Sequence, residues 1–415
     1  MRPWRAVVAR QGRQQAEVCA VKVIVQKFGG SSLSDLSRIR KVAEAIVATR
    51  ERGYQVVVVV SAMGDTTDEL LGMANELAPS PSRRELDMLL SVGERISMAL
   101  MSIAIQARGH EAVSLTGSQC GIITTASHSN ARIIDVRPFR VQDELAQGRI
   151  VIVAGFQGTS YRRDVTTLGR GGSDTTAVAL AAALNAEACE IYSDVDGVFS
   201  ADPRVVLSAA QLASLSYEEM QEMARAGARV LNEQAVEFAR RAQIALYARS
   251  TEKRGEGGTV VRVDLPQDEL KRLEDGRPAV AVSHIRSGLW LRAQASADRV
   301  AEAIERLAVV TYDWQAGRRL EAFVALDDVH GVDALERRLR DLGADVEVGR
   351  QGLVSVVGLG VGGQARWSRM GQAALKEAGV VTLAMNASLA RLSWVLPQEA
   401  VEEGARALHQ AFVDA

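Results

Sequence analysis

The sequence predicts an α/β fold over its first 250 residues and smaller α+β modules after them. One observation is Val56–Val60, five valines between glycine-containing loops, which is typical of a strand buried on both faces of a parallel sheet. Another is the strand–loop–helix rhythm that starts at Val21, because parallel strands need helical crossovers. A third is that glycine- or serine-rich segments follow the strands, where open α/β sheets bind ligands.

The individual elements follow from local patterns. Apolar residues at helical spacing from Leu36 to Val47 predict the first helix, which ends by Gly53. The nearly all-apolar segment Thr175–Leu184 predicts a buried helix. Further strands are predicted at Val21–Val25, Ala112–Leu115, Ile150–Val153 and Glu190–Tyr192.

The C-terminal part has shorter elements. Residues 251–280 mix charged residues with glycine and proline, so they predict a linker between a first domain, 21–250, and a second, 281–415. The second domain is expected to hold two similar ferredoxin-like modules, because its last elements run β-α-β-β-α. Its predicted strands are Leu289–Arg292, Glu321–Leu326, Leu353–Val357, Val380–Met385 and Arg391–Leu396, and its predicted helices are Asp298–Leu307, Val332–Leu342, Ala365–Ala378 and Gln398–Phe412.

Composition excludes several classes of protein. The 415 residues are 47% apolar and 24% charged, as in ordinary globular proteins, and the net charge of −2 argues against a nucleic-acid partner. Three scattered cysteines and five histidines show no metal-ligand spacing and indicate a reducing compartment. Because no apolar run approaches ~20 residues, no membrane span is expected. Residues 1–20 lack a secretory signal and are expected to be a disordered extension.

Four segments carry residues suited to binding a ligand, through phosphates at lysine, arginine and backbone N–H groups and through a ribose or a metal at the acids. Gly169–Thr176 reads Gly-Arg-Gly-Gly-Ser-Asp-Thr-Thr, a glycine-rich turn at a helix N-terminus, where backbone N–H groups bind anions. Lys27 follows the first strand and precedes a Gly-Gly loop, but the Walker A pattern is absent. Ser193–Gly197 and Asp202–Arg204 bring acids and an arginine to adjacent loops. Taken singly, each segment is also compatible with an ordinary turn or cap.

Together these segments resemble the aspartate kinases of the amino-acid kinase superfamily. Gln26–Ser32 is similar to the family's K-F-G-G-[ST]-S opening, and Thr167–Arg204 is a nearly continuous match. The resemblance is dense over residues 21–250 and looser in the C-terminal part, which is similar to tandem ACT regulatory modules. It implies a three-layer α/β/α kinase domain followed by two ferredoxin-like ACT modules.

The resemblance also implies a reaction, transfer of the ATP γ-phosphoryl group to the β-carboxylate of L-aspartate. Lys27 is implied to stabilise the transferring group and Asp174 to orient that lysine. Arg170 is implied to bind the substrate α-carboxylate and Glu94 its ammonium group. Further substrate contacts are implied at Ser61, Thr67 and Ser173. Nucleotide contacts are implied at Lys27, Gly29, Gly30, Ser31, Ser193, Asp194, Phe199, Arg204 and Arg229, with Mg²⁺ accompanying ATP and no metal-ligand set in the protein.

Two departures from the family pattern have consequences. Asn232-Glu233-Gln234 stands where the family usually has His/Gln-Pro-Arg, so the loop near the nucleotide is expected to differ. The segment Leu289–Asp298 lacks the proline and glycine of the family's effector loop. We therefore expect weakened feedback by lysine and threonine and a role in a dedicated biosynthetic pathway.

Alternatives remain at this point. Another amino-acid kinase could act on glutamate or a related carboxylate, and a degenerate kinase could serve as a non-catalytic amino-acid sensor. The expected partners are L-aspartate and ATP, with no nucleic acid and no membrane. The expected assembly is a homodimer through the ACT-like modules, because open sheet edges need a partner, and the expected location is the cytoplasm.

Overall fold

A computed structural model of the chain contains three β-sheets. It describes residues 22–78, 80–169, 171–228, 230–253, 257–263, 279–306, 311–315, 320–326 and 332–414. The strands are β1 (Val23–Phe28), β2 (Gln55–Val60), β3 (Ala112–Leu115), β4 (Ile122–Thr124), β5 (Ile133–Val136), β6 (Ile150–Ala154), β7 (Gln157–Ser160), β8 (Val165–Thr167), β9 (Ala188–Ser193), β10 (Ser214–Ser216), β11 (Ala245–Ser250), β12 (Thr259–Arg262), β13 (Ala281–Ala293), β14 (Thr311–Gln315), β15 (Leu320–Ala325), β16 (Glu347–Val357), β17 (Ala384–Ser388) and β18 (Arg391–Leu396).

The helices alternate with the strands in the first domain and flank a single sheet in the second. Short 3₁₀ turns occupy Ser31–Leu33, Val361–Gly363 and Gln398–Ala400. The α-helices are α1 (Leu36–Glu51), α2 (Thr66–Leu77), α3 (Arg83–Leu90), α4 (Val92–Gln106), α5 (Phe139–Ala146), α6 (Gly172–Ala183), α7 (Tyr217–Arg225), α8 (Glu233–Ala242), α9 (Ala297–Arg306), α10 (Val332–Arg340), α11 (Ala365–Glu377) and α12 (Val401–Phe412).

The large sheet has eight strands in the order β10-β12-β11-β9-β1-β2-β6-β3. Neighbouring strands are parallel except β11 and β12. Alternate residues of the central strands enter opposite cores. Val25, Val57 and Val59 pack with α5 to α8, whereas Val56 and Val58 pack with α1 and α4. The predicted three-layer α/β/α domain is therefore confirmed, and the valine strand β2 is buried on both faces, as its composition predicts.

A small four-stranded sheet, β5-β4-β7-β8, lies beside the large one. Its last strand, β8, leads into the glycine-rich segment that starts at Gly169. Thr124 on β4 and Thr166 on β8 share a buried hydrogen bond of 2.6 Å between their hydroxyl groups. The small sheet thus anchors the segment that enters α6.

The C-terminal domain is one antiparallel sheet, ordered β14-β15-β13-β16-β18-β17. Two long strands, β13 and β16, run through both predicted modules. Residues up to Ile285 of β13 pair with the end of β16, and the β13–β16 register shifts between Ile285 and Gly288. After the shift, β13 pairs with β15 as well as with β16. The two ferredoxin-like modules therefore share a continuous sheet and have separate cores on either side of this shift.

The domains contact each other directly. The loop after β9 inserts Ala201, Val205 and Val206 into the core of the second module, among Trp394, Leu408 and Phe412. The backbone N–H of Val282 donates to the carbonyl oxygen of Ser200 at 2.7 Å. The loop that follows the predicted nucleotide residues is thus part of both domains.

Several boundaries differ from the sequence-based expectations, and β13 and β16 are longer than the strands predicted at Leu289–Arg292 and Leu353–Val357. Strand β12 lies within the predicted linker, 251–280, and pairs with β10 and β11 of the large sheet. The pattern missed it because the strand is short and lies between glycines and charged residues. A strand predicted at Val380–Met385 instead begins at Ala384, where pairing with β18 starts.

The expectation that no apolar segment could span a membrane also needs correction. Arg83–Gln106, which joins α3 to α4, is long and apolar enough by length and composition. However, Met101 and Ile105 of α4 lie in the core against α1, and Glu94 is buried on the same helix. A core helix of a globular domain passes the same test, so this finding is weak evidence for a membrane span.

Candidate active site

A buried ion pair lies at the centre of the large sheet. Lys27 is near the end of β1, between β2 and β9, and is 9% exposed. Its Nζ lies 2.6 Å from Oδ1 of Asp174, in the first turn of α6. A carboxylate at this position is stabilised by the helix N-terminus and holds the ammonium group at the strand end. The structure therefore joins the two predicted catalytic residues.

The glycine-rich turn positions α6. Gly171 precedes the helix with a φ of +73°, a left-handed conformation that favours glycine. A Cβ atom there would lie 2.3 Å from Nδ2 of Asn232, so only glycine leaves room for that side chain. Asn232 is one of the departures from the family pattern, and its Oδ1 also accepts the N–H groups of Gln234 and Ala235 to cap α8. Arg170, the predicted ligand of the α-carboxylate, lies outside the described residues.

Glu94 forms the opposite wall of the site. It is 3% exposed, and its Oε1 accepts the backbone N–H of Ala62 at 3.1 Å. The close approach requires Gly93, because a Cβ there would lie 2.8 Å from the Ala62 Cβ. Its Oε2 is buried and has no hydrogen-bond partner among the described residues. Burial raises the pKa of Glu94 to about 7, so a cationic ligand would restore its ordinary ionisation.

A cleft of about 270 Å³ joins these groups. Predicted substrate residues Ser61, Thr67, Glu94 and Ser173 line it together with Lys27 and Asp174. The remaining wall is largely backbone and is formed by Gly30, Ala62, Gly64, Phe156, Gly169, Gly171 and Gly172. The arrangement places an ammonium group at one end and an unpaired carboxylate oxygen at the other, which suits a small zwitterion with a second anionic group.

Two of the predicted nucleotide residues, Lys27 and Gly30, line this cleft, and the other described ones lie outside its lining. Ser193 and Asp194 follow β9, which neighbours β1, and the N–H of Gly29 donates to the carbonyl oxygen of Tyr192 at 3.2 Å. Gly29 and Ser31 follow β1 on the Lys27 side.

Phe199 pairs with Gln211 across an isolated β-bridge. The Arg204 side chain is 85% exposed, forms an ion pair of 2.8 Å with Asp202 and is not part of the cleft lining. Arg229 lies outside the described residues.

Some residues in and around the site give no signal in the sequence. Phe156 lines the cleft with a φ of +65°, a strained conformation for a residue other than glycine. Nothing in the sequence signals this conformation at a phenylalanine. Asp87 and His128 lie behind the cleft and are paired at 2.7 Å. No sequence signal joins them, because they are far apart in the chain.

Comparison with known proteins agrees with this geometry. The sequence profile of the "Amino acid kinase family" matches residues 22–249. The "Aspartokinase" of Mycolicibacterium smegmatis is 43% identical over 410 residues, which cover 94% of this chain and 96% of that protein. The "Aspartokinase" of Corynebacterium glutamicum is 44% identical over 412 residues, with coverage of 94% and 96%. The chain belongs to the aspartokinase family.

A solved aspartokinase has the same fold. The crystal structure of E. coli aspartokinase III in complex with aspartate and ADP superposes with a TM-score of 0.80 at 23% identity, over 94% of this chain and 99% of that one. The predicted family, the fold with its C-terminal regulatory-type modules and the ATP-dependent kinase activity are confirmed. For this aspartokinase, the cleft between Lys27 and Glu94 is the candidate active site.

Proposed function

We propose that this aspartokinase transfers the γ-phosphoryl group of ATP to the β-carboxylate of L-aspartate in the cleft between Lys27 and Glu94. The observation that carries the assignment of the site is that the buried Lys27–Asp174 pair lines the same cleft as Glu94, whose buried Oε2 has no partner among the described residues. A dicarboxylic amino acid presents an ammonium group to Glu94 and a carboxylate toward Lys27.

The acceptor needs little activation. A side-chain carboxylate has a pKa of ~4 and is already ionised at neutral pH, so no general base has to remove a proton. The barrier arises because two anionic groups must approach in line. Lys27 lowers it by placing a fixed positive charge where charge accumulates, and Asp174 keeps the ammonium group in position.

Aspartate recognition follows from the walls of the cleft. Glu94 binds the substrate ammonium group, and the hydroxyl groups of Ser61, Thr67 and Ser173 offer neutral hydrogen bonds. Arg170 binds the α-carboxylate by analogy with the family motif, since a guanidinium fork matches that group. The β-carboxylate then points toward Lys27.

ATP enters from the side of β9. A Cβ at Gly29 would lie 3.5 Å from the Lys27 Nζ, so the glycine keeps space beside the ammonium group for phosphates. Mg²⁺ bound to ATP would neutralise charge on the phosphates. The residues present fit such an ion, because Mg²⁺ takes one or two carboxylates besides phosphates and water, and Asp174 and Asp194 are the carboxylates on this side.

The test is an assay of ATP turnover with hydroxylamine, which traps an acyl phosphate as a hydroxamate. We expect hydroxamate with L-aspartate and little with L-glutamate. Preference for glutamate would indicate the related amino-acid kinase. No turnover with either, despite aspartate binding, would indicate the non-catalytic sensor.

Weakened feedback is the regulatory part of this proposal. Asp345 hydrogen-bonds the loop between β13 and α9, which stands where the family has its effector loop. Its Oδ2 accepts the N–H groups of Gln294 at 2.8 Å and Ser296 at 3.0 Å. Hydrogen bonds, first of all from the Ser296 hydroxyl at 2.6 Å, hold the pKa of Asp345 below its usual range. The Asp345 carboxylate therefore occupies the hydrogen-bond donors of Gln294 and Ser296, which an effector carboxylate would otherwise use.

Activity with lysine or threonine at millimolar concentration tests this idea. We expect less than about twofold inhibition, because freeing the loop requires breaking three hydrogen bonds. Asp345→Ala should increase sensitivity, whereas Asp341→Ala, an exposed acid nearby, should not. Strong inhibition of the unmodified protein would contradict it. An enzyme that escapes both effectors suits a dedicated pathway, in which supply does not follow the lysine and threonine pools.

Assembly as a cytoplasmic homodimer completes the proposal. β14 and β17 are the edges of the six-stranded sheet, and β17 is largely exposed. Exposed edges pair readily with another strand. Light scattering of the purified chain should give twice the monomer mass, and a monomer at micromolar concentration would reject the homodimer.

A further inference from the structure

A fully buried carboxylate that the proposed mechanism does not use lies behind the aspartate end of the cleft. Asp87, on α3, has no exposed surface. Its Oδ1 accepts the backbone N–H of Ser129 at 2.9 Å and the hydroxyl of Thr167 at 2.6 Å. Its Oδ2 lies 2.7 Å from Nδ1 of His128. A buried carboxylate is costly unless it is well hydrogen-bonded, and here both oxygens are satisfied.

All three donors belong to chain segments beside Gly169, which lines the cleft. Thr167 ends β8, two residues before Gly169, and its carbonyl oxygen accepts the N–H of Ala131 at 2.9 Å. The Asn130 side chain contacts the turn, since a Cβ on Gly169 would lie 2.9 Å from its Oδ1. Asp87 therefore joins the 128–131 loop to the strand that delivers the glycine-rich turn.

The backbone of this loop is strained. Ser129 has a φ of +65°, a left-handed conformation that is uncommon for residues other than glycine. Such conformations persist only where surrounding contacts hold them, and they concentrate at functional sites. The Ser129 N–H is held by Asp87 itself. Removing the carboxylate would release both the strain and the loop.

We propose that Asp87 is a positioning residue for aspartate binding, acting through His128, Ser129 and Thr167 on Gly169. This inference rests on the proposed function of the cleft. Among the described residues, the hydrogen bonds of the Asp87 side chain go to His128, Ser129 and Thr167 and not to β1 or the loop after β9, so its effect is confined to the amino-acid substrate. It touches no substrate atom and sets the position of the backbone that does.

The experiment compares Asp87→Ala with Glu85→Ala, which removes an exposed carboxylate from the same helix. We expect KM for aspartate to rise about tenfold in Asp87→Ala, because the turn loses the hydrogen bonds that hold it. KM for ATP should stay within about twofold, and Glu85→Ala should change neither constant. Asp87→Asn should restore most of the loss, because its amide oxygen still accepts from Ser129 and Thr167.

Thr167→Val is a second variant that tests the same inference if Asp87→Ala does not fold. It removes a single hydroxyl with little change in shape, and we expect KM for aspartate to rise about threefold with KM for ATP unchanged. Equal increases in both constants, or a fall in kcat alone, would overturn the inference, since that is the signature of a merely structural residue. Failure of the proposed function is distinguishable, because the unmodified protein would then form no aspartyl hydroxamate.

Discussion

The two ends of the cleft are built in different ways. The proposed aspartate end is lined, among the described residues, by kinase-domain elements, with Glu94 on α4 and the glycines that precede α6. The loop at the nucleotide end continues into the C-terminal domain. There the hydroxyl of Ser200 accepts the N–H of Ala210 at 3.0 Å and lies 2.9 Å from Nε2 of His409 on α12.

The direction of that contact follows from the tautomer of His409. In the tautomer whose Nδ1 donates to the Asp414 carboxylate, Nε2 accepts the hydroxyl hydrogen of Ser200. The other ring nitrogen, Nδ1, lies 3.2 Å from Asp414. Ser200 and His409 are each 1% exposed, so the network ties the loop to α12 away from solvent. A substitution in the C-terminal module should therefore change KM for ATP more than KM for aspartate.

The largest effect on kcat is expected at Lys27, which acts on both the aspartate and the nucleotide side of the site. We expect Lys27→Ala to lower kcat by about 10²- to 10³-fold, because it removes a charge that acts on the transferring group. Lys22→Ala, which removes a largely exposed lysine from the preceding chain, should leave kcat unchanged. Steady-state kinetics of hydroxamate formation measure both, and an unchanged kcat in Lys27→Ala would refute the assignment.

The aspartate end can be altered alone through Glu94. We expect Glu94→Gln to raise KM for aspartate about 10- to 100-fold while KM for ATP stays constant, because an ionic contact to the substrate ammonium group becomes neutral. Comparable changes in both constants would mean that the two ends are not independent.

The pH dependence of the unmodified protein sharpens this test. Glu94 must be ionised to bind the ammonium group, and its pKa is raised to about 7. Lowering the pH through this pKa protonates the carboxylate, so KM for aspartate should be about tenfold higher at pH 6 than at pH 8. Glu94→Gln should show a flat profile over that range, and a sloping one would assign the titration to another group.

A smaller effect is expected at the nucleotide end. His409→Ala leaves the Ser200 hydroxyl without its buried partner, and we expect KM for ATP to rise about threefold to tenfold with KM for aspartate unchanged. Gln410→Ala, at an exposed neighbouring position on α12, is the matched control. An effect on aspartate instead of ATP would reverse the proposed division of the cleft.

Much of the kinase fold could be predicted because the signals are local. The valines of β2 and the apolar α6 specify burial by composition, and Lys27 and Asp174 lie in segments whose glycines mark turns. Strand β12 was missed because its four residues carry little pattern and are held by pairing with distant strands. The continuous sheet through β13 and β16 was missed because it depends on pairing between strands that are far apart in the chain.

By itself, the sequence determined where the chain turns, which strands are buried and which segments carry the anion-binding groups, since backbone geometry and side-chain polarity act over a few residues. Only the tertiary structure decided that Glu94 meets Ala62, that Asp87 meets His128 and that Ser200 meets His409. Each of those pairs joins elements far apart in the chain. Their hydrogen bonds depend on packing distances that no local pattern encodes.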